Sequence, residues 1–299
     1  MMERINPKKP SVRAPFLLLS FLLANAVVSA REVTPDLFSY DKSAAFAMHE
    51  IGREQRGVAT IHDLALTAAG STVKAFLVIP ATPGPHAAIL YIHWLGEPAT
   101  TNRTEFLEEA LILAGRGVIS LLVDTMWAEP KWYGRRLPEE DYAQSIRQVV
   151  ELRRAMDFLL KQPGVDHQRI AMVAHDFGAM YGMIAAGQDR TACTYVFMAA
   201  VPHLIDWMLF ARQPLDVDAY RRQLAPLDPV NFVGSLAPAP IFFQFANHDK
   251  FVSAAQSAEF YSAARPRKQM ATYEGGHQLH TPADTADRIA WLERELELP

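Results

Sequence analysis

The chain has 299 residues, of which half are hydrophobic and 21% charged, with 15 Gly, 20 Pro, a single Cys and a formal charge of −4. This balance excludes a disordered chain, a collagen-like chain and a disulfide-built mini-protein. The slight acidity argues against a nucleic-acid partner, and one cysteine permits neither an internal disulfide nor a cysteine-rich metal site.

The first elements read as an address. Arg4, Lys8, Lys9 and Arg13 are followed by the apolar run Phe16–Leu23 and by the small residues Val28-Ser29-Ala30. This is the layout of a secretory signal peptide, cut after Ala30. The apolar run falls short of the roughly 20 residues that span a bilayer. Export to the periplasm or the exterior is therefore expected, without a membrane association once the signal is gone. Loss of Glu3 and the four basic residues would leave a charge of −7.

From residue 31 onward a single domain is expected, because no repeat or Gly/Ser-rich linker divides the chain. Val58–Leu66 and Val73–Ile79 read as strands joined at Gly70-Ser71, and Ala88–Trp94 as a buried strand. Arg103–Arg116 has helical spacing and ends at glycine. Val118–Val123 is a strand, 139–161 a long helix, Ile170–Ala174 a short strand and Gly178–Ala186 a helix. Strands at Thr194–Ala200, Pro240–Phe245 and Gln269–Tyr273 and a helix at Pro282–Leu296 complete the pattern. Strand–helix alternation predicts an α/β fold, a mostly parallel twisted sheet with helices on both faces. The stretch 201–239, with Trp207, Phe210 and Tyr220, reads as a small helical lid over the strand ends.

Three loop positions form a constellation. Strand 170–174 runs through His175-Asp176-Phe177-Gly178 straight into a helix, the turn that raises a nucleophile above a sheet and is usually written G-x-S-x-G. Ala174 keeps the first position small, and Asp176 stands where the serine would be. Asp249 closes a strand 73 residues later, and His277, after Gly275-Gly276, follows 28 residues beyond that. A nucleophile–acid–histidine order of Asp176, Asp249 and His277 results, with His280 as the nearest rival of His277. The Phe177 N–H and an N–H at Trp94, in the loop His93-Trp94-Leu95-Gly96, are candidates for an oxyanion hole. His93 and His175 read as structural, and Cys193 as a small core residue. No HExxH, P-loop or dinucleotide fingerprint occurs, so neither a metal nor a nucleotide cofactor is implied.

These residues carry a resemblance. The segments YIHWLG (91–96), EFLEEALILAGRGVISLLVD (105–124), RIAMVAHDFGAMYG (169–182), LDP (227–229), QFANHDKFVS (244–253) and YEGGHQLH (273–280) resemble, in order and spacing, the dienelactone-hydrolase-like branch of the α/β-hydrolase fold. Dienelactone hydrolases use a cysteine nucleophile, which is lacking here. The His-Asp-x-Gly turn is instead similar to haloalkane dehalogenases and epoxide hydrolases, whose nucleophile is an aspartate. Phe177 stands where dehalogenases often have Trp. Tyr133, Tyr142 and Tyr220 are available for the role that lid tyrosines play in epoxide hydrolases.

The chemistry of the residue types bounds the function. A serine needs a base to lose its proton, whereas a carboxylic acid is ordinarily ionised at neutral pH. Attack by a carboxylate on an ester would give an anhydride, while attack on an sp³ carbon bearing a halide or epoxide oxygen gives an ordinary ester. Three functions stay open: a hydrolase forming an alkyl ester on Asp176 from a small apolar substrate; an ester or lactone hydrolase with Asp176 as base for water; and a ligand-binding protein without turnover.

Overall fold

A computed structural model describes residues 35–68, 70–96 and 102–299. The proposed signal segment, 1–30, lies outside the described residues. Among the described residues, nine strands form one sheet in the order β1-β2-β3-β5-β4-β6-β7-β8-β9. They are β1 (Ala47–Arg56), β2 (Ala59–Ala68), β3 (Ser71–Pro80), β4 (His86–Ile92), β5 (Val118–Val123), β6 (Val165–His175), β7 (Thr194–Met198), β8 (Ile241–Ala246) and β9 (Lys268–Tyr273). The pairs from β1 to β3, and β3 with β5, are antiparallel, and every pair from β5 to β9 is parallel.

The central strands explain the reading of the sequence. Every residue of β4, β5, β7 and β8 is buried, as expected of strands covered on both faces. The edge strand β1, exposed along its whole length, carries no apolar alternation and was not anticipated. Its bulge at Ile51 breaks the register between Glu50 and Gly52, and its charges guard an open edge.

The principal helices are α1 (Leu107–Ala114), α2 (Trp132–Arg135), α3 (Pro138–Leu160), α4 (Phe177–Asp189), α5 (Ile205–Met208), α6 (Val217–Leu224), α7 (Val230–Val233), α8 (Ala254–Ala263) and α9 (Pro282–Glu295). Among them α1 packs against α9, while α3 packs against α4. Pro138 opens α3 at a position that needs no N–H, and Glu139, Glu140 and Asp141 follow where the helix dipole favours negative charge. Capping boxes start α8 (Ser253/Gln256) and α9 (Thr281/Asp284). Helix α1 starts four residues later than its periodicity predicts. The preceding turn is tied down by side-chain and backbone bonds: the Arg103 N–H donates to Asp124, and the Arg103 guanidinium to Asp63. No helix of the described residues is long and apolar enough to cross a membrane.

The sheet order places β5 and β6 on opposite sides of β4. The order in which strands are added therefore reverses between β4 and β6, and sheets of this kind hold ligands at the carboxyl ends of the strands at such a point. Helix α4 begins hard against β4 at this crevice. A methyl on Gly178 would stand 2.5 Å from the carbonyl oxygens of both Ile92 and His93. Gly178→Ala is expected to cost about 3 kcal/mol or more, from overpacking against backbone that cannot yield. Gly134→Ala, where nothing lies within 4 Å of the added carbon, is the control and should be close to neutral. Urea unfolding of the two variants checks this; equal midpoints would contradict the close-approach account.

Candidate active site

Asp176 links β6 to α4 at φ 58° and ψ −123°. A non-glycine residue there is strained by about 1–3 kcal/mol, and such strain persists only where the surroundings enforce it. The Asp176 N–H donates to the Met198 carbonyl at 2.8 Å, and its own carbonyl accepts the Met180 N–H at 3.0 Å. Sheet and helix thus hold the residue from both sides, and its carboxylate projects into the crevice, 4% exposed.

The other two predicted residues converge on it. His277 Nδ1 lies 2.8 Å from Asp249 Oδ2, and His277 Nε2 lies 3.4 Å from Asp176 Oδ1. Asp249 is fixed in turn by the Phe251 and Val252 N–H groups, which donate to its Oδ1 at 2.8 and 3.1 Å. Burial pushes the Asp249 carboxyl up, but the hydrogen bond and charge of His277 and those two N–H groups outweigh it and hold the acid below its ordinary range. Burial likewise disfavours the charged imidazole of His277. The hydrogen bonds and charges of Asp176 and Asp249 reverse this, raising His277 to about 9.

One expectation needs correction. The Trp94 N–H does not face Asp176, because it donates to Glu105 Oε2 at 2.8 Å. The donor at this corner is the next amide: the Leu95 N–H bonds Asp176 Oδ2 at 2.7 Å. The Phe177 N–H heads α4, ahead of that helix's first internal bond. His93 is structural as expected: its Nδ1 faces the Trp94 carbonyl, its Nε2 faces the Thr125 backbone and hydroxyl, and burial lowers its pKa. His280 does not compete with His277; its Nε2 sits 3.3 Å from Glu105.

The site is walled by aromatic rings. Phe251, Trp207, Trp94 and His175 have ring centres 5.1, 5.8, 5.9 and 5.7 Å from that of His277. Trp207 comes from the 201–239 stretch and also meets Phe177 at 5.2 Å. The Tyr133 hydroxyl donates to the Trp207 carbonyl, and Arg136 reaches both Asp141 and the Met208 carbonyl, so the loop before α3 grips this stretch. Trp94 Nε1 is buried with no hydrogen-bond partner. A cavity of about 720 Å³ lies across Trp132, lined by polar groups such as Lys74, Asp124, Gln148 and Glu151. It does not include the Asp176–His277 pair. The Asp176–His277 pair and this cavity are therefore separate.

Sequence reasoning missed Glu105. Its Oε1 accepts from His175 Nδ1 at 2.6 Å and its side chain is fully buried. Burial would raise this carboxyl, but the charge and hydrogen bond of His175, with bonds from His280 and the Trp94 N–H, pull it to about 2. An acid just ahead of an apolar helix reads as a cap, and nothing in the local pattern reveals such burial. Among the described residues, Glu105, His175 and His280 are a group able to hold a metal ion, their ligating atoms within 4.8 Å of one another. As they stand, the carboxylate and the two rings satisfy one another by hydrogen bonds.

Neither a known protein family nor a curated protein sequence matches the chain. Solved structures do. An acetyl xylan esterase from Paenibacillus sp. R4 superposes with a TM-score of 0.69 at 17% identity, covering 83% of this chain and 88% of that one. Acetyl xylan esterase 1 from Thermoanaerobacterium sp. JW/SL YS485 gives 0.67 at 14%, covering 84% and 87%. A glucuronoyl esterase from Solibacter usitatus gives 0.64 at 14%, covering 86% and 88%. At these identities the likeness is one of architecture, and the chain has the α/β-hydrolase fold.

The raised His277 links the site to stability. A folded-state value of about 9 against an ordinary 6.5 stabilises the protein below pH 6.5, and the contribution fades as pH rises through 9. At full strength it amounts to roughly 3 kcal/mol. Unfolding midpoints followed from pH 6 to 10 should fall across this window. Asp176→Asn removes a negative charge that raises the ring and should flatten the fall; an equal slope in both proteins would contradict the coupling.

Proposed function

We propose that the protein is a hydrolase whose Asp176 carboxylate displaces a leaving group from an sp³ carbon of a small, largely apolar molecule, and whose His277 then directs water onto the resulting ester. The observation that carries this reading is the Leu95 N–H bond to Asp176 Oδ2. For hydrolysis of an external ester, an oxyanion donor must be open to the substrate's carbonyl oxygen. Here the donor already holds an oxygen of the side chain at the elbow. In an alkyl ester of Asp176 that oxygen becomes the ester carbonyl, so the donor lies where charge develops in the second step.

The steps follow from the geometry. Asp176 Oδ1 attacks carbon, and the carbon–halogen bond breaks with its electron pair on the halide. Esterification removes the Asp176 charge, which helps to raise His277. The imidazolium then releases its proton to solvent and becomes a base, with Asp249 holding Nδ1. Water gives a proton to Nε2 and adds to the Asp176 carbonyl carbon, placing negative charge on Oδ2 against Leu95. Collapse breaks the bond from that carbon to Oδ1, and the alcohol leaves with the proton from Nε2. The regenerated acid passes its proton to Nε2, which restores the starting carboxylate–imidazolium pair.

Halides are favoured over epoxides. The Tyr133 and Tyr220 hydroxyls, candidates to protonate an epoxide oxygen, donate instead to the Trp207 carbonyl and to Asp141. The unpartnered Trp94 indole N–H beside the site is a donor that suits a departing anion. A second reading, cleavage of an ester or lactone by water that Asp176 deprotonates, draws support from the esterases among the structural neighbours.

The test is the intact mass of His277→Phe after incubation with 1-bromohexane, styrene oxide and p-nitrophenyl butyrate. Removing the base should slow turnover by about 10²–10⁴-fold while leaving alkylation possible. A hexyl increment on the Asp176 peptide, absent in Asp176→Asn, is expected. Cleavage of the p-nitrophenyl ester by the unmodified protein, without any adduct, would overturn the proposal in favour of the second reading. Neither adduct nor turnover would overturn both.

A further inference from the structure

We infer that Glu105 is a positioning residue that holds three loops of the site in register: the one carrying the Leu95 N–H, the elbow carrying Asp176, and the one carrying His277. The catalytic meaning of this rests on the reading above; the geometry does not.

Each loop is reached through a residue adjoining the reactive group. Glu105 Oε2 accepts the Trp94 N–H at 2.8 Å, one residue before Leu95. Its Oε1 accepts from His175 Nδ1 at 2.6 Å, one residue before Asp176. The far nitrogen of the same ring, His175 Nε2, lies 3.0 Å from the carbonyl oxygen of His277 itself. The Trp94 indole stacks on the His175 imidazole, with centres 5.3 Å apart and planes within 10°. Glu105 and His175 have fully buried side chains, so every unmet bond here would go uncompensated by water. His280 adds a third bond to the carboxylate from the exposed side.

The consequence concerns relative placement. The hydrolytic step needs the Leu95 donor and the His277 base on the same carbonyl at once, and these belong to chain segments more than 180 residues apart. Each of them bonds Asp176 directly, and the Trp94 and His277 rings meet at the site wall. Glu105 and His175 join them by a second route behind the reacting atoms. Alkylation, by contrast, needs only the Asp176 carboxylate facing its substrate. Loss of the bridge should therefore slow the second step far more than the first.

Two variants separate this role from a general loss of packing. Glu105→Gln turns one of the two acceptor oxygens into an NH₂ donor, so the bonds from the Trp94 N–H and from the His175 ring can no longer both be met, and His175→Asn breaks the link to His277 while leaving Trp94 on the carboxylate. In ¹⁵N-labelled protein without substrate, Glu105→Gln should move both the Leu95 amide and the His277 ring signals. His175→Asn should move His277 and leave Leu95 in place. Unmoved Leu95 and His277 signals in Glu105→Gln overturn the inference. If that variant does not fold, the His175→Asn pattern decides alone, and either a shifted Leu95 or an unmoved His277 overturns it. With 1-bromohexane, Glu105→Gln should accumulate the alkyl adduct although His277 is present. Hydrolysis should fall about 100-fold, as for a misplacement near 1 Å, with alkylation within about threefold of the parent. Equal losses in both steps would mark Glu105 as structural only. Absence of an adduct in every variant would count against the proposed reaction, and the substrate-free spectra would still decide the register claim.

Discussion

The site depends on a backbone constraint at one residue. Asp176 is held at a positive φ because β6 ends and α4 begins within a single peptide, and α4 can begin there only because Gly178 lets the helix touch the β4 carbonyls. The strain is borne by bonds from the neighbouring strand and from the first turn of the helix. It lifts a carboxylate out of the sheet at the point where the strand order reverses, and it brings that carboxylate within reach of the Leu95 amide. The pairing with His277, and the raised pKa that goes with it, are secondary to this turn.

Around the turn, polar and apolar elements divide the work. The polar residues fix orientation: Asp249 holds one nitrogen of His277, and Glu105 with His175 holds the loops from behind. The aromatic rings exclude water and leave few polar partners for a ligand other than the reacting groups. The grip of Tyr133 and Arg136 on the stretch that bears Trp207 ties the wall to the domain beneath it. A site so enclosed suits a small apolar substrate, and electrostatic effects within it are stronger than at an exposed surface.

Much of this was legible from sequence because it rests on local rules. Continuous apolar runs gave the buried strands, and the x-Asp-x-Gly turn between a strand and a helix gave the elbow. The order of Asp176, Asp249 and His277 gave a triad whose members do converge in space. Elements governed by long-range contacts were not legible. Strand β1 has no apolar alternation, helix α8 has a weak periodicity, and α1 loses its first turn to bonds with distant residues. The donor facing Asp176 proved to be Leu95, one residue beyond Trp94, because Glu105 captures the earlier amide. Glu105 carries no local signal of burial, and only the fold reveals it as buried and shared among three loops.

The central claim is that an oxygen of Asp176 itself leaves with the product. Single-turnover reaction of excess enzyme with 1-bromohexane in H₂¹⁸O, followed by mass analysis of the hexanol and of the Asp176 peptide, tests it directly. The account predicts unlabelled alcohol and one ¹⁸O retained in the Asp176 carboxylate. Label in the alcohol with an unlabelled Asp176 peptide would mean that water attacks the substrate directly, and would contradict it.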